Sequence, residues 1–218
     1  MISSKSISFD MADSSKLSAI VLVGGVSSRM GRFKTTLPMG GTTLIERLVA
    51  ELRRAFVDIV VVAAPESVAE ALPALDAAVI RDQVAFGGPA QALLLGLRSI
   101  RHDIAFACAC DLPMLNADIA AWLGSILEEK HDAVIPMVGG CTQVLHAVYR
   151  KRCADALEGM LARGGRSLRR LAPLLEVRSV TEHELRPFDP ELRSFFNLNT
   201  REDYEAALRL IEPRAKRS

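Results

Sequence analysis

The sequence predicts an α/β fold built on a mainly parallel central sheet. Short apolar runs alternate with longer amphipathic runs along the chain, which is the pattern of strands alternating with helices. Hydrophobic residues make up 50% of the 218 residues, enough for a sizeable core. No repeat or linker divides the chain. Residues 18–212 are therefore predicted to form one domain behind a flexible leader, residues 1–17.

The individual elements follow from local patterns. Strands are predicted where short apolar, often β-branched runs end at polar or glycine residues: 18–23, 58–64, 77–81, 104–109, 133–136, 144–149 and 175–180. Helices are predicted where apolar residues recur at helical spacing: 43–55, 67–71, 89–100, 116–130, 151–161, 167–171 and 200–211. Thr43 and Glu46 form a capping-box pattern at the first helix, and Pro89 suits a first helical turn.

Composition argues against several classes of protein. Lys and Arg total 27 against 26 for Asp and Glu, a formal net charge of +1 that does not favour nucleic-acid binding. The leader lacks the apolar core of a signal peptide, and no apolar run reaches the roughly 20 residues that span a bilayer. The cysteines form no C-x-x-C pair, and the histidines lack zinc-ligand spacing. We expect a cytoplasmic protein with reduced cysteines and no zinc, nucleic acid or membrane partner.

A glycine loop follows the first strand, in the stretch AIVLVGGVSSRMGRFKTTLP (19–38). It matches neither G-x-G-x-x-G nor the P-loop pattern, because Gly24 and Gly25 are adjacent and Lys34 does not directly follow Gly31. Adjacent glycines let backbone N–H groups approach an anion, and Arg29 and Lys34 can neutralise its charge. The loop is predicted to bind a polyphosphate, with a tight turn carrying exposed cations as the alternative.

An aspartate comes directly after the fourth strand, in FACACDLPML (106–115). Parallel strands gather ligands at their carboxyl ends, and Mg²⁺ prefers one or two carboxylates together with phosphate oxygens and water. Asp111 is therefore predicted to hold Mg²⁺. The alternative is a helix N-cap, a role for which Asn116 or Asp118 is better placed.

Two further loops carry candidate binding residues. Asp82 precedes the pair Gly87-Gly88 ahead of a helix, where a carboxylate can accept from a base or ribose and the helix N-terminus can face an anion. The arginines of ARGGRSLRR (162–170) suit a phosphorylated second substrate. An ordinary loop and a solvated surface run are the respective alternatives.

The last motif is FFNLNTREDYEAAL (195–208). Asn197 and Asn199 flank a leucine in an extended segment, so their amide side chains face the same side. Asn199 or Thr200 is expected to cap the final helix, and Asn197 is the sharper candidate for a ligand contact.

Together these motifs resemble the molybdenum cofactor guanylyltransferase family, within the nucleotidyltransferases that have a Rossmann-like sheet. LVGGVSSRMGRFK is similar to the family's L-A-G-G-x-S-x-R-M-G-x-x-K pattern, CDLPML to its C-D-x-P segment, and FFNLNTREDYEAA to its F-x-N-x-N-T-x-E-D ending. The resemblance runs from about Leu17 to Leu210. It implies a Rossmann-like three-layer nucleotidyltransferase fold, with nucleotide in the first half and acceptor in the second.

The resemblance implies transfer of GMP from GTP to the phosphate of molybdopterin, with Mg²⁺ as cofactor and release of pyrophosphate. It assigns nucleotide binding to Leu22, Val23, Gly24, Gly25, Lys34, Asp82 and Asp111, with Asp111 as the magnesium ligand. Lys34, Arg29 and Asp111 would be catalytic, and acceptor binding would fall to Gly88, Arg166, Asn197 and Asn199. Molybdoenzymes or cofactor-insertion proteins would receive the product.

Some residues depart from the family pattern and keep alternatives open. Phe33 stands where aspartate is frequent before the lysine, Pro65 replaces an asparagine after the second strand, Val23 replaces a usual alanine, and GPAQA replaces G-P-L-A-G. The alternatives are a CTP-dependent cytidylyltransferase, a sugar-phosphate nucleotidyltransferase, and a homologue that binds nucleotide or cofactor without catalysis.

Overall fold

The main sheet follows the predicted alternation of strands and helices. The computed structural model describes residues 16–24, 34–65, 72–82 and 87–211; the predicted helix 67–71 and nearly all of the predicted leader lie outside these ranges. The strands are β1 (Leu17–Val23), β2 (Pro38–Met39), β3 (Thr42–Thr43), β4 (Asp58–Ala63), β5 (Ala78–Arg81), β6 (Ile104–Ala109), β7 (Ala133–Val138), β8 (Cys141–Thr142), β9 (His146–Arg150) and β10 (Val177–Val180). The helices are α1 (Leu44–Leu52), α2 (Gly88–Ser99), α3 (Ala117–Ser125), α4 (Cys153–Ala162), α5 (Glu182–Leu185) and α6 (Arg201–Ile211).

Strand order in the main sheet is β10-β7-β9-β6-β1-β4-β5, with β8 paired to β7. β9 runs antiparallel to both of its neighbours, β6 and β7, and β8 runs antiparallel to β7. The other pairs in this sheet are parallel. This confirms the predicted α/β class with a mainly parallel sheet.

Apolar cores cover both faces of the sheet. Successive residues of β1 point to opposite faces, because side chains alternate along a strand. Ala19 and Val21 join the core that contains Leu48 of α1 and Ile119 of α3. Ile20 joins a second core with residues of α2 and α4. Helices therefore pack on both sides of one sheet, which gives the three predicted layers.

The first helix begins as its sequence predicts. The hydroxyl of Thr43 accepts from the N–H of Glu46 at 3.4 Å, and the Glu46 carboxylate accepts from the N–H of Thr43 at 2.8 Å. This reciprocal pair is the predicted capping box, and it satisfies two backbone donors that a helix N-terminus otherwise leaves open.

Some predicted boundaries are wrong. β1 begins at Leu17, one residue before the predicted start of this strand. α3 ends at Ser125 rather than at residue 130. Beyond this helix end, the Arg150 side chain donates to the carbonyl oxygens of Glu128 at 3.1 Å and His131 at 2.9 Å, so a side chain distant in sequence helps to hold the segment. The predicted helix 167–171 is a 3-10 turn, Leu168–Arg170.

Other short elements were not predicted. β2 and β3 form a two-stranded antiparallel hairpin between the glycine loop and α1, and β8 is a two-residue strand. Within the described ranges, every helix is too short or too polar to cross a membrane.

Candidate active site

The carboxyl ends of β1 and β6 form the centre of the candidate site. The two strands are parallel neighbours, with Leu22 paired to Ala109. Beyond the strand end, the N–H of Cys110 donates to the carbonyl oxygen of Leu22 at 3.1 Å. The strand order reverses here, since β4 and β5 lie on one side of β1 and β6 on the other. Such a switch point opens a crevice where ligands bind in α/β sheets.

The glycine loop leaves β1 at this crevice. Val23 is half-buried and Gly24 is exposed, as expected for backbone at the mouth of a site. Gly25 and Arg29 lie outside the residues that the structure describes, as does the side chain of Lys34. The backbone of Lys34 opens a 3-10 turn that leads to β2.

Asp111 lies next to the end of β1 because of the pairing of β6. The β6 segment is buried in the sheet, and Asp111 is half-buried just beyond it. Helix capping is carried out by Asn116, whose side-chain oxygen accepts from the N–H of Asp118 at 2.9 Å. Asp111 does not serve as that cap, so the alternative role considered for it is removed.

Asp82 directly follows β5, which is the edge strand of the main sheet. Its N–H donates to the carbonyl oxygen of Ala63 at 2.8 Å, which continues the pairing of β4 and β5. Its side chain is buried, and a Cβ built on Gly87 would lie 3.4 Å from its Oδ2. The carboxylate therefore lies against the N-terminus of α2, and β1 and β4 separate its strand, β5, from β6, which precedes Asp111.

Gly88 and Arg166 are brought close together. Gly88 has a φ of +81°, a backbone conformation that favours glycine, and a Cβ there would lie 4.0 Å from the carbonyl oxygen of Arg166. Both residues are exposed. Both residues are predicted to bind the acceptor substrate. They lie 78 positions apart in the chain and meet at the N-terminus of α2.

The asparagine segment reaches the site through the backbone of Asp111. The N–H of Leu198 donates to the carbonyl oxygen of Asp111 at 2.9 Å, and Leu198 is fully buried. Asn197 is half-buried, and its side-chain nitrogen donates to the carbonyl oxygen of Phe195 at 3.1 Å. Asn199, the residue after Leu198, is exposed.

Thr200 caps α6. Its hydroxyl accepts from the N–H of Asp203 at 3.1 Å, while the Asp203 carboxylate accepts from the N–H groups of Asn199 and Thr200 at 2.9 and 2.8 Å. One of the two residues predicted to cap the helix therefore does so.

A cleft of about 250 Å³ joins several of these residues. Asp111 and Asn197 line it together, which brings the predicted metal ligand and one predicted acceptor residue into the same space. The remaining lining residues are Ala109, Leu112, Thr142, Gln143, Val144, Leu145, His146, Arg169 and Phe195. Arg166, Gly88, Asn199 and Asp82 do not line it.

Sequence reasoning missed two residues of the cleft. The sequence indicates Arg169 only as one arginine of the stretch 162–170. It gives His146 no role, because the histidines show no zinc-ligand spacing. His146 is 1% exposed, and its ring centroid lies 5.1 Å from that of Phe106 and 4.1 Å from that of Phe195. Burial lowers the pKa of His146 from 6.5 to about 3, so the ring is neutral near pH 7. No motif around His146 signals this burial.

Comparisons with known proteins agree with the geometry. A family model described as the MobA-like NTP transferase domain matches residues 19–180. A probable molybdenum cofactor guanylyltransferase from Mycobacterium avium is 35% identical over 201 residues, which cover 90% of this chain and 97% of the relative. Another from Methanosarcina mazei is 37% identical over 203 residues, 86% of this chain and 88% of the relative.

A solved structure shows the same similarity. The crystal structure of molybdopterin-guanine dinucleotide biosynthesis protein A from Archaeoglobus fulgidus superposes with a TM-score of 0.74 at 29% identity, covering 88% of this chain and 97% of that one. Since the family model covers most of the chain and the relatives align along nearly all of it, the chain belongs to the MobA-like NTP transferase family.

Proposed function

We propose that the protein is a molybdenum cofactor guanylyltransferase that transfers GMP from GTP to the phosphate of molybdopterin and releases pyrophosphate. Family membership and the names of the relatives support this proposal. The structural observation that carries it is the crevice at the ends of β1 and β6, where the glycine loop begins beside Asp111. Asp111 shares a cleft there with Asn197, so nucleotide and acceptor candidates meet at one place.

The proposed reaction balances without an external oxidant, reductant or base. An oxygen of the molybdopterin phosphate attacks the α-phosphorus of GTP, and the bond from this phosphorus to the oxygen bridging to the β-phosphate breaks. A diphosphate linkage forms and pyrophosphate leaves with its electron pair. A phosphate monoester has a second pKa of about 6, so the nucleophile is already ionised near neutral pH. His146 is not required as a base.

The nucleotide is proposed to bind along the glycine loop. Backbone from Leu22 through Gly25 would line it, and the N–H groups beside Gly25 would face its phosphates. Arg29 and Lys34 would neutralise the β- and γ-phosphates and stabilise the departing pyrophosphate. Asp82 would bind the nucleoside from beside the N-terminus of α2.

The acceptor is proposed to bind next to Asp111. Asn197 would contact it within the cleft, and Asn199 from the rim. Gly88 and Arg166, which meet at the start of α2, would also contact the acceptor. Because Leu198 is anchored to the backbone of Asp111, the segment that carries both asparagines is held next to Asp111.

The residues present fit a magnesium ion. Asp111 offers a half-buried carboxylate at the switch point, and Mg²⁺ is held in phosphoryl-transfer sites by one or two carboxylates together with substrate phosphate oxygens and water. Among the described residues no group of three or more His, Cys, Asp or Glu side chains forms a metal cage, in keeping with a site that the nucleotide helps to complete. When bound, the ion would neutralise charge at the α-phosphate.

The test is a comparison of nucleotides. Purified protein is incubated with Mg²⁺, molybdopterin and either GTP or CTP, while pyrophosphate is measured and the product is identified by mass. We expect pyrophosphate release that depends on molybdopterin and GTP and yields the guanine dinucleotide. Preferential turnover of CTP would instead establish a cytidylyltransferase. Nucleotide binding without turnover on molybdopterin would overturn the catalytic assignment.

A further inference from the structure

The segment between α4 and β10 carries four arginines whose guanidinium groups could bind a ligand. Most arginines of the described surface pair with carboxylates: Arg98 with Asp155 at 2.8 Å and Arg152 with Asp132 at 2.7 Å are examples. Within the part of the chain that the structure covers, no carboxylate pairs with the four arginines of residues 162–170, namely Arg163, Arg166, Arg169 and Arg170. A guanidinium without a protein carboxylate is suited to bind an anionic ligand, because its planar fork matches two phosphate oxygens.

Of these four arginines, all of which are described, Arg169 alone lines the cleft. Arg170 belongs to the same 3-10 turn but lies outside the cleft, and Arg166 has its carbonyl oxygen beside Gly88. Among the described residues that line the cleft, Asp111 and Arg169 thus supply the only charged side chains. The cleft therefore has both a carboxylate suited to a cation and a guanidinium suited to an anion.

His146, another lining residue of the cleft, carries a neutral group rather than a charged one. His146 is 1% exposed, and its Nδ1 has no hydrogen-bond partner among the residues described. Its Nε2 lies 3.5 Å from the hydroxyl of Ser194. A neutral imidazole nitrogen is suited to an uncharged polar group of a ligand. The cleft lining therefore combines a cationic guanidinium with a buried imidazole whose Nδ1 has no partner among the described residues.

We infer that Arg169 binds the phosphate of the acceptor and holds it opposite Asp111, an inference that rests on the proposed function. Two phosphate groups must approach each other for the reaction, and their mutual repulsion opposes this approach. A guanidinium on the acceptor phosphate offsets this repulsion and fixes the orientation of the attacking oxygen. Arg169 thereby acts as a substrate-binding residue for the acceptor and leaves GTP binding to the opposite side of the site.

The inference is tested with Arg169→Gln, and Arg170→Gln is the matched control from the same turn. For Arg169→Gln we expect the KM for molybdopterin to rise about 10- to 100-fold, the effect of losing a charge-assisted bidentate contact. The KM for GTP should stay within about twofold of the wild-type value. Arg169→Lys should recover part of the loss, because it retains the charge but not the fork. Arg170→Gln should retain wild-type values for both substrates.

A direct measurement of molybdopterin binding shows whether a negative result contradicts the role of Arg169 alone or the proposed function as well. Quenching of pterin fluorescence reports molybdopterin binding without GTP, and it should weaken in Arg169→Gln by the same factor as KM rises. A wild-type enzyme that turns over, together with an Arg169→Gln variant whose acceptor affinity equals that of Arg170→Gln, would overturn the inference alone. A wild-type protein that neither binds molybdopterin nor releases pyrophosphate would overturn the proposed function and the inference with it.

Discussion

The backbone N–H of Leu198 donates a hydrogen bond of 2.9 Å to the carbonyl oxygen of Asp111. This contact joins the end of a central strand to a segment 87 positions later in the chain. It carries Asn197 to the cleft that Asp111 lines. The nucleotide half and the acceptor half of the proposed site are therefore held together by backbone, and substitution of either side chain leaves this link in place.

Asp111→Asn should abolish Mg²⁺-dependent pyrophosphate release while the protein stays folded. The amide keeps the size and the backbone hydrogen bond of the aspartate but lacks the charge that favours a divalent cation. We expect a rate loss of about 100-fold or more, measured as pyrophosphate release over a range of Mg²⁺ concentrations. Asp103→Asn is the control, because Asp103 is exposed at the opposite end of β6. Equal rates for the two variants would remove Asp111 from the metal role.

Leu198→Ala should destabilise the fold by about 2 to 5 kcal/mol, because it leaves a cavity at a fully buried position. Leu198 packs in a core with Met39, Leu44 and Ala207, and thereby joins α6 to the hairpin and α1. Urea denaturation measures the change. Leu210→Ala, at a position 46% exposed on α6, should cost less than about 0.5 kcal/mol. Similar losses for the two variants would contradict close packing of Leu198 in this core.

Burial of His146 should make stability depend on pH. Burial lowers the pKa of His146 from 6.5 to about 3 in the folded protein. Between these two pH values, the unfolded chain binds a proton at His146 that the folded chain does not. Its contribution to stability is complete above pH 6.5 and is lost as the pH falls towards 3. His146→Phe should flatten this dependence by up to about 1.4 kcal/mol per pH unit, as measured by urea denaturation at several pH values.

The control for this pH dependence is Phe106→Leu, which alters the aromatic ring packed edge-on against His146. This variant should lower stability by a similar amount at every pH, because it removes packing but no titrating group. A wild-type slope in His146→Phe would show that the imidazole is not held neutral by burial.

Alanine at two helical glycines should have opposite effects. In α2, a Cβ at Gly96 would lie 2.6 Å from Cγ2 of Ile20 and 3.3 Å from Cγ2 of Val62, so Gly96→Ala should destabilise the fold by about 1 to 3 kcal/mol. In α4, a Cβ at Gly159 would meet only the flexible end of Arg163, at 3.5 Å. Gly159→Ala should therefore stabilise by up to about 1 kcal/mol through helix propensity. Thermal melting of both variants checks the signs, and a stabilised Gly96→Ala would refute close packing of α2 on the sheet.

Much of the fold could be predicted from local patterns. The alternation of strands and helices, the capping box at Thr43 and the N-cap at Asn116 are confirmed. Each depends on residues within a few positions of one another, whose hydrogen bonds and apolar spacing are visible in the sequence. Asp111 could be selected for the same reason, because a polar residue directly after a buried strand marks the sheet edge where ligands bind.

The remaining features depend on residues far apart in the chain. Local patterns do not show that β9 inserts antiparallel between β6 and β7, nor that Arg150 donates to the carbonyl oxygens of Glu128 and His131 beyond the end of α3. The roles assigned to the residues of the site stay predictions, including those for Gly25, Arg29 and the side chain of Lys34, which lie outside the described ranges.

Sequence alone was sufficient for most of the longer strands and helices and their order, because short-range hydrogen bonding and hydrophobic periodicity encode them. The folded arrangement was needed to show that Arg169 rather than Arg166 lines the cleft with Asp111, and that His146 is buried beside them. Which side chains share a cleft depends on strand pairing and helix packing over long separations, and no local pattern carries that information.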